Sequence, residues 1–209
     1  MSEIVRNAIE KEGVIAIVRK LYGEPLMKLG EALYAGGVTL MEVTFDQAAP
    51  DVLPKTAAAI SELAERMKGR MHVGAGTVLT PEQVRTAAGA GATFIISPNT
   101  DVSVIKETKQ QGMLSIPGFL TATEALQAIN AGADYLKLFP SVLGPAYIKG
   151  LQAVIKTPIL AVGGVNAKNI PDFLSVCSGF GIGGALYKAG KTLDQIRADA
   201  RAMVAACRG

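Results

Sequence analysis

Short runs of apolar residues alternate along the chain with longer stretches in which apolar positions are spaced as on one face of a helix. Side chains repeat every two residues in a strand and every 3.6 in a helix, so the short runs predict strands and the longer stretches predict helices. The predicted strands cover residues 14–19, 40–45, 72–78, 94–98, 114–118, 135–140, 159–164 and 180–186. The predicted helices include residues 25–35, 51–68, 81–88, 123–131 and 193–206.

Several helix ends carry sequence signals. Thr80 precedes Pro81 as an N-cap precedes a first-turn proline, and Thr121 with Glu124 forms a capping-box pattern. Glycines follow several helices, as expected of left-handed C-caps. These glycines are Gly36, Gly37, Gly91, Gly112 and Gly132.

A strand followed by a helix, repeated roughly eight times, predicts a (β/α)8 barrel. The alternative is a doubly wound open sheet, which usually has a Gly-x-Gly-x-x-Gly sequence after its first strand. The nearest match, Gly74-Ala75-Gly76-Thr77, lacks the third glycine and follows the third strand. No linker or change of composition divides the chain, so we expect one barrel domain over residues 1–209.

Composition narrows the function classes. Of 209 residues, 49% are hydrophobic and 19% charged, and the net charge of +3 gives no case for nucleic-acid binding. No apolar run is long enough to span a membrane, and the amino terminus lacks an apolar signal core. We therefore expect a cytoplasmic protein with neither nucleic-acid nor membrane partners.

The chain has few residues for metal or triad chemistry. His72 is the only histidine, which makes a Ser-His-Asp triad improbable, and no His and Cys cluster has metal-ligand spacing. Cys177, predicted to lie in a late helix, and Cys207 are expected to be free thiols, although a disulfide between them stays open. We predict no metal and no cofactor.

Lys137 lies within the apolar run 135–140, where alternation places Tyr135, Lys137 and Phe139 on one face of a strand. Burial disfavours the charged form of an amine and lowers its pKa, and a neutral amine can form a Schiff base with a carbonyl. The alternative is a structural lysine whose charged end extends to water from the strand end.

Barrel enzymes carry their sites at the carboxyl ends of the strands. Glu42 lies in an apolar strand, where burial would raise its pKa and suit it to proton transfer. Arg19 closes the first strand, and its guanidinium matches a carboxylate or phosphate. Both could instead form a buried ion pair, Glu42 with Arg19 or with Lys137. The strand-end set also contains Thr44, Thr77, Pro98, Gly118, Phe139, Gly163, Gly164, Gly183 and Gly184.

Paired glycines close the seventh and eighth strands. Loops at these two positions of a barrel commonly bind phosphate through backbone N–H groups, and glycine lets a ligand approach the backbone. Asn166, just after Gly163 and Gly164, is a candidate helix N-cap. Tight turns alone are the alternative explanation for the glycines. As a whole, the set suits a small anionic carbonyl compound.

Seven segments, in order along nearly the whole chain, resemble the 2-keto-3-deoxy-6-phosphogluconate (KDPG) and 4-hydroxy-2-oxoglutarate (KHG) aldolase family. They are Ile17-Val18-Arg19, Glu42-Val43-Thr44-Phe45, Gly74-Ala75-Gly76-Thr77-Val78, Ser97-Pro98-Asn99, Pro117-Gly118-Phe119-Leu120-Thr121, Leu136-Lys137-Leu138-Phe139-Pro140 and Gly163-Gly164-Val165.

The resemblance implies a metal-free class I aldolase on a (β/α)8 barrel, commonly a homotrimer. Lys137 matches the Schiff-base lysine and Glu42 the general acid/base. Thr77 matches a residue of the pyruvate carboxylate pocket, and Phe139 packs beside the lysine. Gly163 and Gly164 match part of the phosphate site.

Three positions depart from the family pattern. Many members have Arg where this chain has Asp46, so Arg19 and Thr77 would have to hold the pyruvate carboxylate. Val162 replaces a common Thr, and Gly184 replaces a Ser that supports the phosphate. The lost hydroxyl donors weaken the case for a phosphorylated substrate, although backbone N–H groups still suit one.

The sequence thus predicts reversible cleavage of 2-keto-3-deoxy-6-phosphogluconate to pyruvate and glyceraldehyde 3-phosphate. The same chemistry on the unphosphorylated 4-hydroxy-2-oxoglutarate, giving pyruvate and glyoxylate, is the first alternative. A sugar-phosphate isomerase barrel, with Lys137 as an electrostatic clamp, and a non-catalytic keto-acid sensor are more remote ones.

Overall fold

The computed structural model describes residues 2–208; Met1 and Gly209, the ends of the predicted domain, lie outside the described residues. The strands are β1 (Val14–Val18), β2 (Leu40–Thr44), β3 (His72–Gly76), β4 (Phe94–Ile96), β5 (Leu114–Ile116), β6 (Gly118–Phe119), β7 (Leu136–Leu138), β8 (Ile159–Val162) and β9 (Gly179–Ile182). The helices are α1 (Ser2–Glu12), α2 (Gly23–Ala35), α3 (Val52–Arg66), α4 (Pro81–Gly89), α5 (Val102–Gln110), α6 (Ala122–Ala131), α7 (Gly144–Leu151), α8 (Ile170–Phe173) and α9 (Leu193–Ala206).

All neighbouring strands are parallel, in the order β5-β4-β3-β2-β1-β9-β8-β7-β6. The two outer strands of this order, β5 and β6, are halves of the predicted fifth strand, separated by Pro117. Proline has no N–H to give to the ladder, and the strand is interrupted there. Because β5 pairs with β4 and β6 with β7, the sheet closes through this broken strand. The predicted (β/α)8 barrel is confirmed, and the open-sheet alternative is wrong.

Each predicted strand is present, but most end earlier than predicted. The eighth, predicted over 180–186, ends at Ile182, because the backbone N–H groups of Leu186 and Tyr187 donate to the Gly183 carbonyl and turn the chain. The predicted caps are confirmed at α4, where Thr80 accepts from the Gln83 N–H, and at α6, where Thr121 and Glu124 form a capping box.

Two local predictions are wrong. Cys177 follows α8 and a turn instead of lying in a helix, and its N–H donates to the Phe173 carbonyl. Asn166 is not a helix N-cap, because α8 begins at Ile170 and Asn169 occupies the cap position. The Asn166 side chain instead accepts a hydrogen bond from the Lys168 N–H within a turn.

The interior of the barrel is solid at its amino-terminal end. Inward side chains such as Ile15, Phe94 and Tyr135 form one buried cluster there, and Val5 and Ile9 of α1 pack into it from below. Helix α1 was not among the predicted helices. A second and larger apolar cluster fills the space between the sheet and the surrounding helices. Within residues 2–208, no helix is both long enough and apolar enough to cross a membrane.

Candidate active site

Two glycines of β3 make room for side chains of the neighbouring strands inside the barrel. A Cβ atom on Gly76 would overlap the carboxylate of Glu42, and one on Gly74 would overlap the ring of Phe94. Gly76 is paired in register with Thr44, two residues beyond Glu42 on the neighbouring strand. Strand β3 therefore has no inward side chain where the glutamate lies, and the carboxylate occupies that space.

Lys137 is the central residue of β7, and only 4% of it is exposed. Its backbone is fixed on both sides, in register with Gly118 of β6 and Leu160 of β8. The side-chain nitrogen lies 4.7 Å from the centroid of the Phe139 ring. The lysine therefore lies within the protein and does not extend to water.

Burial lowers the pKa of Lys137, the charge of Glu42 acts in the opposite direction, and the charge of Arg19 adds to the lowering. A buried amine with a lowered pKa is neutral in a larger fraction of molecules, which is the form that attacks a carbonyl.

Glu42 is 1% exposed, and its Oε2 atom has no hydrogen-bond partner among the described residues. Burial raises the pKa of Glu42 from its usual 4.5 to about 7, although the positive charges of Lys137 and Arg19 act to lower it. A carboxyl group with such a pKa both accepts and donates protons near neutral pH. The unpaired oxygen also shows that Glu42 is not held in a fully satisfied structural network.

A cavity of about 340 Å3 opens at the carboxyl ends of β1, β8 and β9. Its lining joins six of the strand-end residues predicted from the sequence, namely Arg19, Phe139, Gly163, Gly164, Gly183 and Gly184, and does not include Glu42 or Lys137. The Nη1 atom of Arg19 lies 3.1 Å from where a Cβ atom on Gly183 would be, so the guanidinium leans towards β9. The guanidinium of Arg19 therefore lies on the glycine-lined side of the site.

The loop after β8 is held from outside the cavity. Gly163 and Gly164 have φ angles of 95° and 78°, which favour glycine. The Ser141 hydroxyl donates to the Gly163 carbonyl at 2.6 Å, and the Asn169 side chain donates to the Gly164 carbonyl at 2.9 Å. With these carbonyls engaged, the backbone can present N–H groups to an anion.

Thr77 and Pro98 do not line this cavity. Thr77 directly follows β3 with a φ angle of 56°, an uncommon conformation for a β-branched residue, and its carbonyl accepts a 2.7 Å hydrogen bond from Gln47. The Pro98 carbonyl packs so closely on Gly118 that a side chain there would overlap it. These two residues close the opposite side of the barrel mouth, near β3 to β6.

Sequence reasoning missed three features of the site. The space-making role of Gly76 was signalled only by glycines at alternate strand positions. The supports from Ser141 and Asn169 depend on loop geometry and have no sequence signal. An ion pair between Lys20 and Asp46, with 3.3 Å between Nζ and Oδ2, spans the ends of β1 and β2. Residues 2–208 contain no group of three or more His, Cys, Asp or Glu residues able to hold a metal ion.

Comparison with known proteins gives a consistent result. A family model described as KDPG and KHG aldolase matches residues 5–204. The 2-dehydro-3-deoxy-6-phosphogalactonate aldolase of Escherichia coli is 36% identical over 199 residues, which cover 93% of this chain and 94% of that protein. A solved structure described as native KDPGal superimposes with a TM-score of 0.86 at 35% identity, covering 93% of this chain and 94% of that one.

A KDPG aldolase from Legionella pneumophila is more distant in sequence. Its structure, with pyruvate captured at low pH as a covalent carbinolamine, superimposes with a TM-score of 0.77 at 25% identity and covers 96% of this chain and 94% of that one.

Proposed function

Because the chain belongs to the KDPG and KHG aldolase family, we propose that it is a class I aldolase in which Lys137 forms the Schiff base and Glu42 moves the protons. The observation that carries this proposal is the burial of Lys137 and Glu42 within the barrel, with the pKa of each group shifted towards its neutral form. The Lys137 amine lies 4.7 Å from the ring of Phe139, which lines the glycine-rich cavity.

In the proposed reaction, the neutral Lys137 amine attacks the C2 carbonyl of a 2-keto-3-deoxy sugar acid to give a carbinolamine. Loss of water converts the carbinolamine to an iminium, which withdraws electrons from C3. The carboxylate of Glu42 takes the proton of the C4 hydroxyl, directly or through water. The C3–C4 electron pair then moves into the iminium, so an aldehyde leaves and an enamine of pyruvate remains.

The return steps use the same two groups. Glu42 gives its proton to C3 of the enamine, which regenerates an iminium, and water hydrolyses this to free pyruvate and the lysine amine. A carboxyl pKa of about 7 suits Glu42 to both directions of transfer, since neither protonation state dominates at neutral pH. The captured carbinolamine in the Legionella pneumophila enzyme supports the first step.

We propose that the substrate carries a phosphate, bound in the cavity beside Arg19, Gly163, Gly164 and Gly184. The size of the cavity, its guanidinium and its accessible backbone support an anion there. The similarity to the Escherichia coli enzyme makes 2-keto-3-deoxy-6-phosphogalactonate the first substrate to test, beside the gluconate epimer. The products would be pyruvate and glyceraldehyde 3-phosphate.

One observation favours 4-hydroxy-2-oxoglutarate as a second candidate substrate. Val162 and Gly184 provide no hydroxyl donors at the anion end of the cavity. A substrate with a carboxylate in place of a sugar phosphate needs fewer hydrogen-bond donors at that end of the cavity. Its cleavage would give pyruvate and glyoxylate.

The test is to incubate the protein with pyruvate, add borohydride, and measure the mass of the intact chain and its peptides. We expect a pyruvate-derived adduct on the peptide that contains Lys137, and no adduct in Lys137→Ala. Lys149→Ala, which changes a lysine on the helix after β7, is the matched control. A folded wild-type protein without an adduct would contradict the Schiff-base mechanism. If the adduct forms, cleavage rates on the phosphogalactonate, the phosphogluconate and 4-hydroxy-2-oxoglutarate would rank the three candidate substrates.

We also propose a homotrimer, as is common in the family. The short 3-10 helix Ser141–Leu143, immediately after the lysine strand, exposes 76% of Val142 and 48% of Leu143. Exposed apolar side chains in adjacent positions are typical of a surface that other copies of the chain cover.

A further inference from the structure

Lys20 has an unusual backbone conformation at the mouth of the barrel. Its φ angle is 55°, which is a left-handed conformation. Among the non-glycine residues that the structure describes, only Thr77 also has a positive φ angle. A residue with a long side chain is strained in this region, and such strain persists where the surroundings impose it, often at functional sites. Lys20 directly follows Arg19, so its position is next to the proposed active site.

The side chain of Lys20 pairs with Asp46, which follows the strand that carries Glu42. Its Nζ atom lies 3.3 Å from Asp46 Oδ2, and the two side chains are 70% and 21% exposed. An ion pair this exposed contributes little to folding, no more than the strain of a left-handed lysine costs. Stability therefore does not account for a lysine at this position.

The negative charge of Asp46 acts on the rim of the site. Burial raises the pKa of Tyr22, and the charges of Asp46 and Asp51 raise it further. A 2-keto acid that approaches this side of the mouth meets the same negative charge. The ion pair of Asp46 is with Lys20 and not with Arg19, whose Nη1 atom lies 3.1 Å from the position of a Cβ atom on Gly183. Lys20 is the cation in contact with Asp46.

We propose that Lys20 is a specificity-determining residue that offsets Asp46 and attracts the carboxylate of the 2-keto acid to the β1–β2 side of the mouth. This proposal rests on the proposed aldolase function. It assigns the strain at Lys20 to substrate positioning, and it makes Asp46 the residue that holds the lysine side chain between the ends of β1 and β2.

The test measures the pyruvate concentration that gives half-maximal borohydride trapping on Lys137, in low salt. Lys20→Gln keeps a polar side chain but removes the charge and leaves Asp46 uncompensated, so we expect that concentration to rise about fivefold. Asp46→Asn leaves the lysine charge unpaired, so the half-maximal pyruvate concentration should fall. In the double variant this concentration should return near the wild-type value. Raising the salt concentration should shrink these differences, because the charges are exposed. Lys68→Gln, at a lysine whose side chain is 77% exposed in the turn after α3, should change nothing.

Two further measurements separate positioning from structure. In steady-state cleavage, Lys20→Gln should raise KM and leave kcat nearly unchanged. Lys20→Gly suits the left-handed backbone, so it should raise the melting temperature while still weakening pyruvate binding. If wild-type protein forms an adduct and Lys20→Gln stays within twofold of it, the role of Lys20 is wrong. If wild-type protein forms no adduct, the aldolase proposal itself fails, and this one fails with it.

Discussion

Glu42 shows how the site sets protonation at the scale of one residue. Its carboxylate is almost wholly removed from water, one of its oxygens has no partner among the described residues, and its pKa is raised to about 7. The glutamate and Lys137 were both predicted as site residues because an ionisable group within an apolar strand is uncommon. The sequence left an ion pair between Glu42 and Lys137 open as an alternative, but the depth of burial that shifts both pKa values depends on how β2 and β7 face each other across the barrel.

Glu42→Gln should change the pH dependence of stability. Folding raises the pKa of Glu42 from 4.5 to about 7, so the folded protein binds this proton more tightly than the unfolded chain does. The folded state therefore loses stability as pH rises from about 4.5 to 7, and glutamine, which does not ionise, avoids this loss. Relative to wild type, we expect the variant to gain about 2 kcal/mol in its free energy of unfolding between pH 5 and pH 8.5.

Urea denaturation at the two pH values measures this gain. Glu62→Gln, at an exposed position on α3, is the control and should show none. A Glu42→Gln difference that is the same at both pH values would contradict the raised pKa. Turnover of the variant should fall strongly, while trapping of pyruvate on Lys137 should persist.

Residue identity alone did not reveal the Lys20 and Asp46 pair. The sequence marked Asp46 as a departure from the family, and Arg19 and Thr77 were expected to hold the pyruvate carboxylate instead of the missing arginine. The backbone angle of Lys20 and the adjacency of the β1 and β2 ends decide which cation contacts Asp46. Neither the backbone angle nor this adjacency is encoded in a local sequence pattern.

At the scale of elements, β3 leaves space for a side chain of the site, and the loops after β8 and β9 place backbone groups around the cavity. Gly76 clears the position of the Glu42 carboxylate, whereas Gly163 and Gly164 turn the chain around the cavity. Glycines in one chain thus have two physical functions, lack of bulk within a strand and freedom of φ within a loop.

Gly76→Ala should displace Glu42. The added methyl group would overlap the carboxylate, and the neighbouring strand leaves little space for relaxation. We expect a loss of about 1–3 kcal/mol in the free energy of unfolding, together with a large fall in kcat. Gly89→Ala is the matched control, because a Cβ atom there meets nothing within 4 Å and α4 should be slightly stabilised. Equal effects of the two substitutions would contradict the role given to Gly76.

Gly184→Ser tests the anion end of the cavity. A Cβ atom at Gly184 meets nothing within 4 Å, and its backbone is not left-handed, so serine should be tolerated. The added hydroxyl should lower KM for a phosphorylated substrate about fivefold and leave KM for 4-hydroxy-2-oxoglutarate nearly unchanged. Gly164→Ser has the same chemistry at a φ of 78° and should instead destabilise the protein. An unchanged KM for phosphorylated acids in Gly184→Ser would place the phosphate elsewhere.

Most elements were predictable because hydrophobic periodicity reports burial directly. The predicted strands extended too far because site residues continue the apolar pattern after the ladder ends, as in 180–186. Helix α1 was missed although Val5 and Ile9 have helical spacing, since its remaining residues are mostly polar and charged. The break in the fifth strand had a visible signal in Pro117.

At the scale of the whole molecule, the barrel is packed at one end and open at the other. Helix α1 and the inner apolar cluster fill the amino-terminal end, while the open end contains Glu42, Lys137 and the cavity. The closed barrel was predictable from the repeat of strand and helix. How copies of the chain associate was not, because surface residues carry no periodic signal of a partner.

Val142→Asp tests the proposed trimer. A charge at a position that is 76% exposed should leave the fold of one chain intact but oppose burial of that surface by another copy. Light scattering after size-exclusion chromatography should give a trimer mass for wild type and a smaller mass for the variant. Val154→Asp, at a position 63% exposed after α7, should remain trimeric. A trimeric Val142→Asp would exclude this surface, and a monomeric wild type would contradict the trimer itself.

The glycines on the inner wall of β3 also limit how this protein can acquire new specificities. The Glu42 carboxylate occupies space that exists because Gly76 has no side chain, and a substitution at Gly74 or Gly76 adds atoms that would overlap Phe94 or Glu42. Adaptation to another acid must therefore proceed through positions with free space or solvent around them. Gly184 and Lys20 are such positions, so laboratory evolution of substrate preference should accumulate changes at the rim and leave the inner wall untouched.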